Sequence, residues 1–371
     1  MERRQPRWRI VHSESSLGWG GQEHRVLAEL TGFRRRGHEV WLLTPTGSES
    51  FRRAQAAHIP VQALNSVKWQ LPYAVLQIAL WLRRVRVNIL NTHSSRDGWV
   101  AGFAGRLAGV PFILRTRHID VDYPNPWLSR HVYSTLADHV LATSQKINHH
   151  LRDALRLPPD HVSTVPTGID LERFVPEGAA ARLLPGIGGP ECPIIGMVSV
   201  LRSWKGHFTF LEAAGLLQRE GVSARFVIVG EGPMRAAIEE RIRALGLAEI
   251  VTLVGHREDV PEVLRALSIL VIPSTQHEGV PQIGLQAMAT RTPVIGSDVG
   301  GIPEIIRPGE TGRIFPAGDA AALAKAIREV LSDPQTTAGM AARGRAAVEA
   351  AHGLETMLTT LQGIYAKRLT L

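Results

Sequence analysis

A single cysteine, Cys192, stands among 371 residues. That excludes an internal disulfide framework and a cysteine-rich metal site. No apolar run approaches the ~20 residues that a membrane-spanning helix needs. The first nine residues, MERRQPRWR, lack the apolar stretch of a secretory signal, so a cytoplasmic chain is expected. The 15 histidines show no metal-ligand spacing, and no Walker-type loop or Gly-x-Ser-x-Gly elbow is present. Zinc-finger, helix-turn-helix and RNP-like patterns are missing too, so nucleic acid is not an expected partner. What is there suits a globular protein. Hydrophobic residues make up 44% and charged residues 20%, enough apolar surface for real cores and too much for disorder. At ~150 residues per domain the length predicts two or three domains.

The charge is unevenly spread. Residues 1–175 hold 23 Lys and Arg against 14 Asp and Glu, while the remainder holds 19 against 20. The excess positive charge predicts that the first half meets an anionic substrate or an anionic membrane surface. Two stretches sharpen this. One is the run Arg34-Arg35-Arg36. The other is Leu71 to Leu82, apolar at every position but Gln77 and followed by Arg83, Arg84 and Arg86. The second reads either as a core helix or as a helix lying in a membrane interface.

Along the chain, short β-rich runs alternate with longer amphipathic ones. Strands are predicted near 8–12, 38–44, 87–91, 112–115, 138–142 and 162–165, with a helix over 22–36 that Gly37 stops. Residues 176–193, rich in Pro, Gly and Ala, break the rhythm as a linker. Strands then recur near 194–199, 224–229, 250–254, 268–272 and 293–296, with helices over 207–220 and 233–245. Such alternation predicts an α/β chain of two doubly wound, Rossmann-like domains facing each other across a cleft. The expected boundaries are 1–175, 194–352 and a C-terminal helix over 353–371 that packs back on the first domain. Ligands of open parallel sheets bind beyond the carboxyl ends of the strands, so the loops after strands are where chemistry is expected.

Four such loops stand out in the second half. Ser274 to Ala289 holds Glu278 ahead of a helix whose first position suits Pro281, with amides placed to hold a phosphate. Glu278 reads as an acceptor for sugar hydroxyls or as a helix-capping acid. Arg202 and Lys205, with Gly206 beside them, suit a diphosphate. Gly230-Glu231-Gly232-Pro233 and Gly300-Gly301-Ile-Pro-Glu304 are further glycine turns at strand ends.

Taken in order, these elements resemble the retaining glycosyltransferases of family 4, which have the two-domain GT-B fold. The early Gly18-Trp-Gly20-Gly21 loop, Val165-Pro-Thr167-Gly168-Ile169-Asp170 and Gly309-Glu-Thr-Gly312 extend the resemblance over nearly the whole chain. It implies transfer of a sugar from a nucleoside diphosphate to a hydroxyl acceptor, saccharide or lipid-linked, in bacterial surface polysaccharide or lipopolysaccharide synthesis. Neither cofactor nor metal is implied. The chain would then be cytoplasmic, peripheral on the inner face of the membrane. The alternatives are a GT-B-fold nucleotide-sugar epimerase and a weakly active or non-catalytic nucleotide-sugar-binding partner of another transferase.

The resemblance also implies roles. Arg202 and Lys205 would clamp the donor diphosphate, and Glu278 would bind hydroxyls of the donor sugar. The amides around Gln282 and Ile283 would hold a phosphate, and His118 would line the donor sugar site. Gly20 and Gly21 would let the first loop close on donor and acceptor, with Gly232 also on the donor side. His256 and Arg257 are candidates for the nucleotide base edge. One position departs from the family: Gln286 stands where a second glutamate usually accepts from ribose hydroxyls. Outside the resemblance, His93 reads as an acceptor contact or as a loop histidine satisfied by its neighbours. Asp120-Val-Asp122 matches a metal-binding Asp-x-Asp, but in the wrong two-domain setting for one.

Overall fold

The computed structural model describes residues 7–64, 71–123, 125–183 and 192–369. The chain divides at Gly168/Ile169 and at Gly353/Leu354 into two units.

The first unit is built on a seven-stranded parallel sheet. Its strands are β1 (Arg9–Ser13), β2 (Glu39–Thr44), β3 (Val61–Ala63), β4 (Ile89–Thr92), β5 (Phe112–Arg117), β6 (His139–Ala142) and β7 (Val162–Thr164). They lie in the order β3-β2-β1-β4-β5-β6-β7. Successive side chains point to opposite faces, and both faces are covered. Ile10, Leu42, Ile89 and Leu114 pack with Val26, Leu30 and Phe33 of α1 (Gly21–Arg35). Val11, Leu43, Leu90 and Ile113 pack on the other face with α3 (Leu71–Val85) and α4 (Ser95–Ala108). The remaining helices of this part of the chain are α2 (Glu49–Ala56), α5 (Pro126–Ser134) and α6 (Gln145–Leu155).

The C-terminal helix α14 (Leu354–Leu369) joins this unit, burying Met357, Leu358, Leu361 and Tyr365 beside Trp8 and Phe33. Each buried leucine contributes ~2 kcal/mol. Gly32 of α1 permits the approach, since a Cβ there would lie 2.3 Å from Leu358.

In the second unit six parallel strands follow the order β10-β9-β8-β11-β12-β13. These are β8 (Ile194–Val198), β9 (Arg225–Val229), β10 (Val251–Gly255), β11 (Ile269–Ile272), β12 (Val294–Ser297) and β13 (Arg313–Phe315). Ile195, Met197, Phe226 and Ile228 pack against α7 (His207–Arg219), α8 (Arg235–Ala244) and α12 (Ala320–Ser332). Ile194, Val227, Leu270 and Ile272 pack against α9 (Val260–Ala266), α10 (Gln282–Ala289), α11 (Ile302–Ile305) and Val348 of α13 (Pro334–Ala351). The architecture is α/β throughout.

The expected domain boundary needs correction. The boundary expected at residue 175 falls at 168/169. Residues 169–183, part of them expected to be linker, belong to the second unit: Phe174 and Leu183 are in its core, and Arg265 donates to the carbonyls of Val175 and Ala179. Composition marked the backbone as irregular but not as loose. The rest of the expected linker, 184–191, lies outside the described residues.

Within the run Arg34–Arg36, Arg34 and Arg35 are exposed and Arg36 is half-buried. Arg34 donates to the His58 carbonyl at 2.6 Å, and Arg36 ties α1 to Glu355 and Gln362 of α14. That run is on α1, on the opposite face of the sheet from α3, so the two stretches do not form one surface. Helix α3 is buried on one side only. Ala74, Ile78, Ala79 and Leu82 face the core, while Tyr73, Leu76 and Leu80 are exposed, as are Phe103 and Leu107 of α4.

Candidate functional site

In each sheet the chain reverses its direction of growth beside the first strand, and crevices at such switch points are where α/β sheets bind ligands. In the second unit the switch lies between β8 and β11. The loop after β8 carries Arg202 and Lys205, and the loop after β11 carries Ser274 and Glu278. Thr275 joins the two loops, its N–H donating to the Trp204 carbonyl at 2.8 Å.

The site is tightly made. Gly206 sits at φ +75°, and a Cβ there would lie 1.8 Å from the Pro273 carbonyl oxygen. Gly300, at φ +59°, would place a Cβ 2.2 Å from the Glu278 carbonyl oxygen. Only glycine lets three strand-end loops come so close. Gly232 is packed in the same way against the Leu201 backbone, and the Leu201 N–H donates to the Glu231 carbonyl.

Lys205 and Glu278 were expected to serve different parts of a ligand. The structure pairs them: Lys205 Nζ donates to Glu278 Oε1, which also accepts from Ser274 Oγ at 2.5 Å. Glu278 is only 5% exposed, so this pairing offsets the penalty of a buried carboxylate. Arg202 is exposed, its guanidinium 5.8 Å from the centre of the Trp204 ring. Pro281, expected as the first helical residue, is instead the N-cap with extended ψ of 116°, and α10 begins at Gln282. Pro281 makes no side-chain cap bond to that first turn. Gln286 is half-buried one turn further along the same helix.

Each base-edge candidate meets the acid two residues on. Arg257 forks onto Asp259 at 2.7 and 2.5 Å, and holds that carboxyl below its usual range. His256 is exposed, 3.1 Å from Glu258.

In the first unit the switch lies between β1 and β4. The glycine loop follows β1, and His93 follows β4. Gly20 is the N-cap of α1, with extended backbone and its N–H donating to Glu23 at 2.9 Å. A Cβ at Gly20 would meet nothing closer than 3.5 Å, so neither conformation nor packing within this loop requires glycine there. Gly21 opens the helix.

His93 is corrected. It is 3% exposed, and both ring nitrogens are engaged, with His118 at 2.9 Å and His12 at 3.0 Å. No donor or acceptor remains for a sugar acceptor. His118, at 9%, is the more open of that pair. Asp120 is paired with His150 at 2.5 Å and lies 3.7 Å from Lys146, an environment already supplied with positive partners.

Sequence reasoning missed the residues that hold the glycine loop. Glu14, fully buried, accepts from Ser94, Gln22 and the Ser16 N–H. Asp97 beside it accepts from Ser13 at 2.7 Å and from the His93 N–H at 2.8 Å. Burial, with Asp97 adding repulsion, pushes the Glu14 carboxyl up to about 7. Burial also raises Asp97, against the pull of Arg115. The signal was present as Glu14 and Gln22 flanking the loop, but nothing in the spacing set them apart from solvated polar residues.

Comparison with known proteins gives a consistent account. The family model for group 1 glycosyltransferases matches residues 189–347, and that for Glycosyltransferase Family 4 matches residues 19–173. The chain is 30% identical over 288 residues to a 2-deoxystreptamine N-acetyl-D-glucosaminyltransferase of Streptomyces fradiae, covering 71% of this chain and 67% of that one. It is 29% identical to the UDP-Gal:alpha-D-GlcNAc-diphosphoundecaprenol alpha-1,3-galactosyltransferase of Escherichia coli, over 68% of each. The structure of Anabaena HepE in complex with UDP superposes with a TM-score of 0.85, at 19% identity, covering 97% of this chain and all of that one. The fold shared with such structures is GT-B.

Proposed function

Since the chain belongs to the group 1, family 4 glycosyltransferases and uses a nucleotide-sugar donor, we propose that it is a metal-independent retaining enzyme. Its acceptor is the hydroxyl of a lipid-linked saccharide, in bacterial surface polysaccharide or lipopolysaccharide synthesis. The observation that carries the reading is the Arg202, Lys205 and Glu278 group at the β8/β11 switch point.

Breaking the bond from the anomeric carbon to the donor phosphate leaves negative charge on the nucleoside diphosphate. Arg202 and Lys205 oppose that charge as it grows, which is where fixed charge accelerates a reaction most. The first turn of α10 holds a phosphate, and Glu278 accepts from donor-sugar hydroxyls. In this account the acceptor oxygen bonds the anomeric carbon on the face that the phosphate leaves, and its proton passes to a departing phosphate oxygen. His118 lines the sugar site.

The test is a thermal-shift panel of UDP-, GDP-, ADP- and dTDP-sugars, followed by NMR of the product's anomeric configuration. A ligand bound only by the folded state at 100-fold its Kd stabilises it by ~2.7 kcal/mol. An inverted product overturns retention, and no shift with any donor overturns the donor site.

Gln286→Glu tests the departure from the family. A carboxylate accepting from ribose hydroxyls is stronger than an amide by ~1 kcal/mol, so the KM for donor should fall about fivefold without a change in Tm. An unchanged KM for every donor means that this side chain does not touch the nucleotide.

The membrane reading rests on α3 and α4. Tyr73, Leu76 and Leu80 of α3 and Phe103 and Leu107 of α4 are exposed, with exposed Arg83 and Arg84 at the end of α3. Exposed apolar side chains with cations at the helix end suit an anionic bilayer surface. No helix among the described residues is long and apolar enough to cross a membrane. Co-sedimentation with phosphatidylglycerol vesicles is expected, weakening with salt, and absent with phosphatidylcholine. Leu76→Asp with Leu80→Asp should abolish it. Equal binding to both vesicle types, or to neither, overturns the docking.

A further inference from the structure

Three histidines form a row inside the first unit. His12 belongs to β1, His93 follows β4 and His118 follows β5, and these strands are neighbours in that order. His12 Nδ1 is 3.0 Å from His93 Nε2, and His93 Nδ1 is 2.9 Å from His118 Nε2. Exposure rises along the row from 0% at His12 through 3% to 9% at His118, which is therefore its open end. Burial above all, with the positive charge of Arg25 adding to it, holds His12 at about 4 and the other two well below the usual histidine value. Near neutral pH each ring carries one N–H.

Neutral rings joined nitrogen to nitrogen have a direction. Each bond needs one N–H and one lone pair, so with one proton per ring both bonds must point the same way. If the row donates toward His118, the proton of His118 is on Nδ1. If it donates toward His12, that proton is on Nε2 and His12 carries its own on Nε2.

Two observations choose between these. His12 Nε2 is buried and finds no protein partner. A buried N–H without an acceptor is disfavoured more than an unshared lone pair. At the same ring, Glu29 Oε2 lies 3.8 Å from His12 Nδ1. The Glu29 carboxylate also holds Arg25 at 2.6 Å, so it is fixed in place. A proton on His12 Nδ1 faces that negative charge, whereas a lone pair there would oppose it. Both observations send the row toward His118.

We propose that His12 and His93 are positioning residues that fix His118 as its Nδ1–H tautomer, so that His118 meets the nucleotide sugar as a hydrogen-bond donor to a hydroxyl or phosphate oxygen. The inference rests on the reading of His118 at the donor sugar. It assigns His93 a role that its sequence position did not suggest. The proton of His118 is set by a carboxylate three residues away along the row.

The full chain labelled with 15N-histidine, studied by long-range 1H–15N correlation, reads the tautomer directly, with His118→Asn to assign the signals. The expected spectrum shows His118 protonated at Nδ1 and unprotonated at Nε2 at pH 7. An Nε2–H tautomer or a doubly protonated ring overturns the proposal, and this measurement needs no variant of the row to fold. In His93→Phe the two His118 tautomers should mix. There kcat for the donor found by the panel should fall roughly tenfold, the scale of one hydrogen bond, while the Kd of its nucleoside diphosphate stays within about twofold. Mixed tautomers with unchanged kcat would overturn the positioning role. Absence of sugar transfer by the wild type from every donor would instead strike the glycosyltransferase reading, leaving the tautomer result standing.

Discussion

Lys205→Ala is expected to lower kcat/KM by roughly 100- to 1,000-fold and to destabilise the fold by about 3 kcal/mol. The two losses have different origins. The first is the removal of a fixed positive charge from the site where the departing diphosphate gathers negative charge. The second arises because Glu278, 5% exposed, loses its Lys205 partner and keeps only Ser274. The lower end of the range for broken buried pairs applies, because the Lys205 side chain is 24% exposed. Arg202→Ala separates them. Its guanidinium is exposed and rests over Trp204, so kcat/KM should fall by a similar factor with unfolding unchanged within ~0.5 kcal/mol. Lys205→Met combined with Glu278→Gln should recover most of the stability, since no buried charge is left alone, and none of the activity. Initial rates and urea unfolding read both quantities. Activity within a few-fold of wild type in Lys205→Ala and Arg202→Ala would rule out the proposed donor site.

Much of the fold was legible because parallel strands covered on both faces are short, continuous apolar runs. Ile269–Ile272 is of this kind, buried at every position. Val61–Ala63 and Arg313–Phe315 escaped notice: each is a three-residue edge strand with a half-exposed pattern, too short for any period to register. In the site, Arg202, Lys205 and Glu278 were legible as basic and acidic residues in loops that end strands. That Lys205 and Glu278 bond each other was not, because they are 73 positions apart and only the β8–β11 adjacency brings them together. For His93 the sequence left two readings open, and the strand order decides between them: β4 lies between β1 and β5, and a histidine there is enclosed by the histidines of its neighbours.

The acids behind the glycine loop lead to the second large effect, a pH dependence of stability that Glu14→Gln should remove. Burial and the neighbouring Asp97 raise the Glu14 carboxyl from 4.5 to about 7 in the folded protein. Between those values the folded chain binds a proton that the unfolded chain has released. Stability therefore falls as pH rises through this window, and the full penalty is present above about 7. Each tenfold change in proton affinity is worth ~1.4 kcal/mol, so wild type should lose roughly 2–3 kcal/mol between pH 5 and pH 8 from this group. Glutamine does not titrate, so the stability of Glu14→Gln relative to wild type should improve by that amount over the same interval. Asp97→Asn offers an independent check. Without a second acid beside it, Glu14 ionises more readily, and the pH slope should shrink without vanishing because burial remains the larger cause. The loop adds a structural readout, since Glu14 accepts from Ser94, Gln22 and the Ser16 N–H at the base of Gly18–Gly21. Ionised Glu14 holds those donors more strongly than the neutral acid or the amide does. Amide exchange at Ser16 and Gly18 should accordingly be faster in Glu14→Gln than in wild type at pH 8, and similar in the two at pH 5. Parallel stability curves for wild type and Glu14→Gln from pH 5 to pH 8 would show that the buried carboxyl keeps an ordinary affinity for its proton.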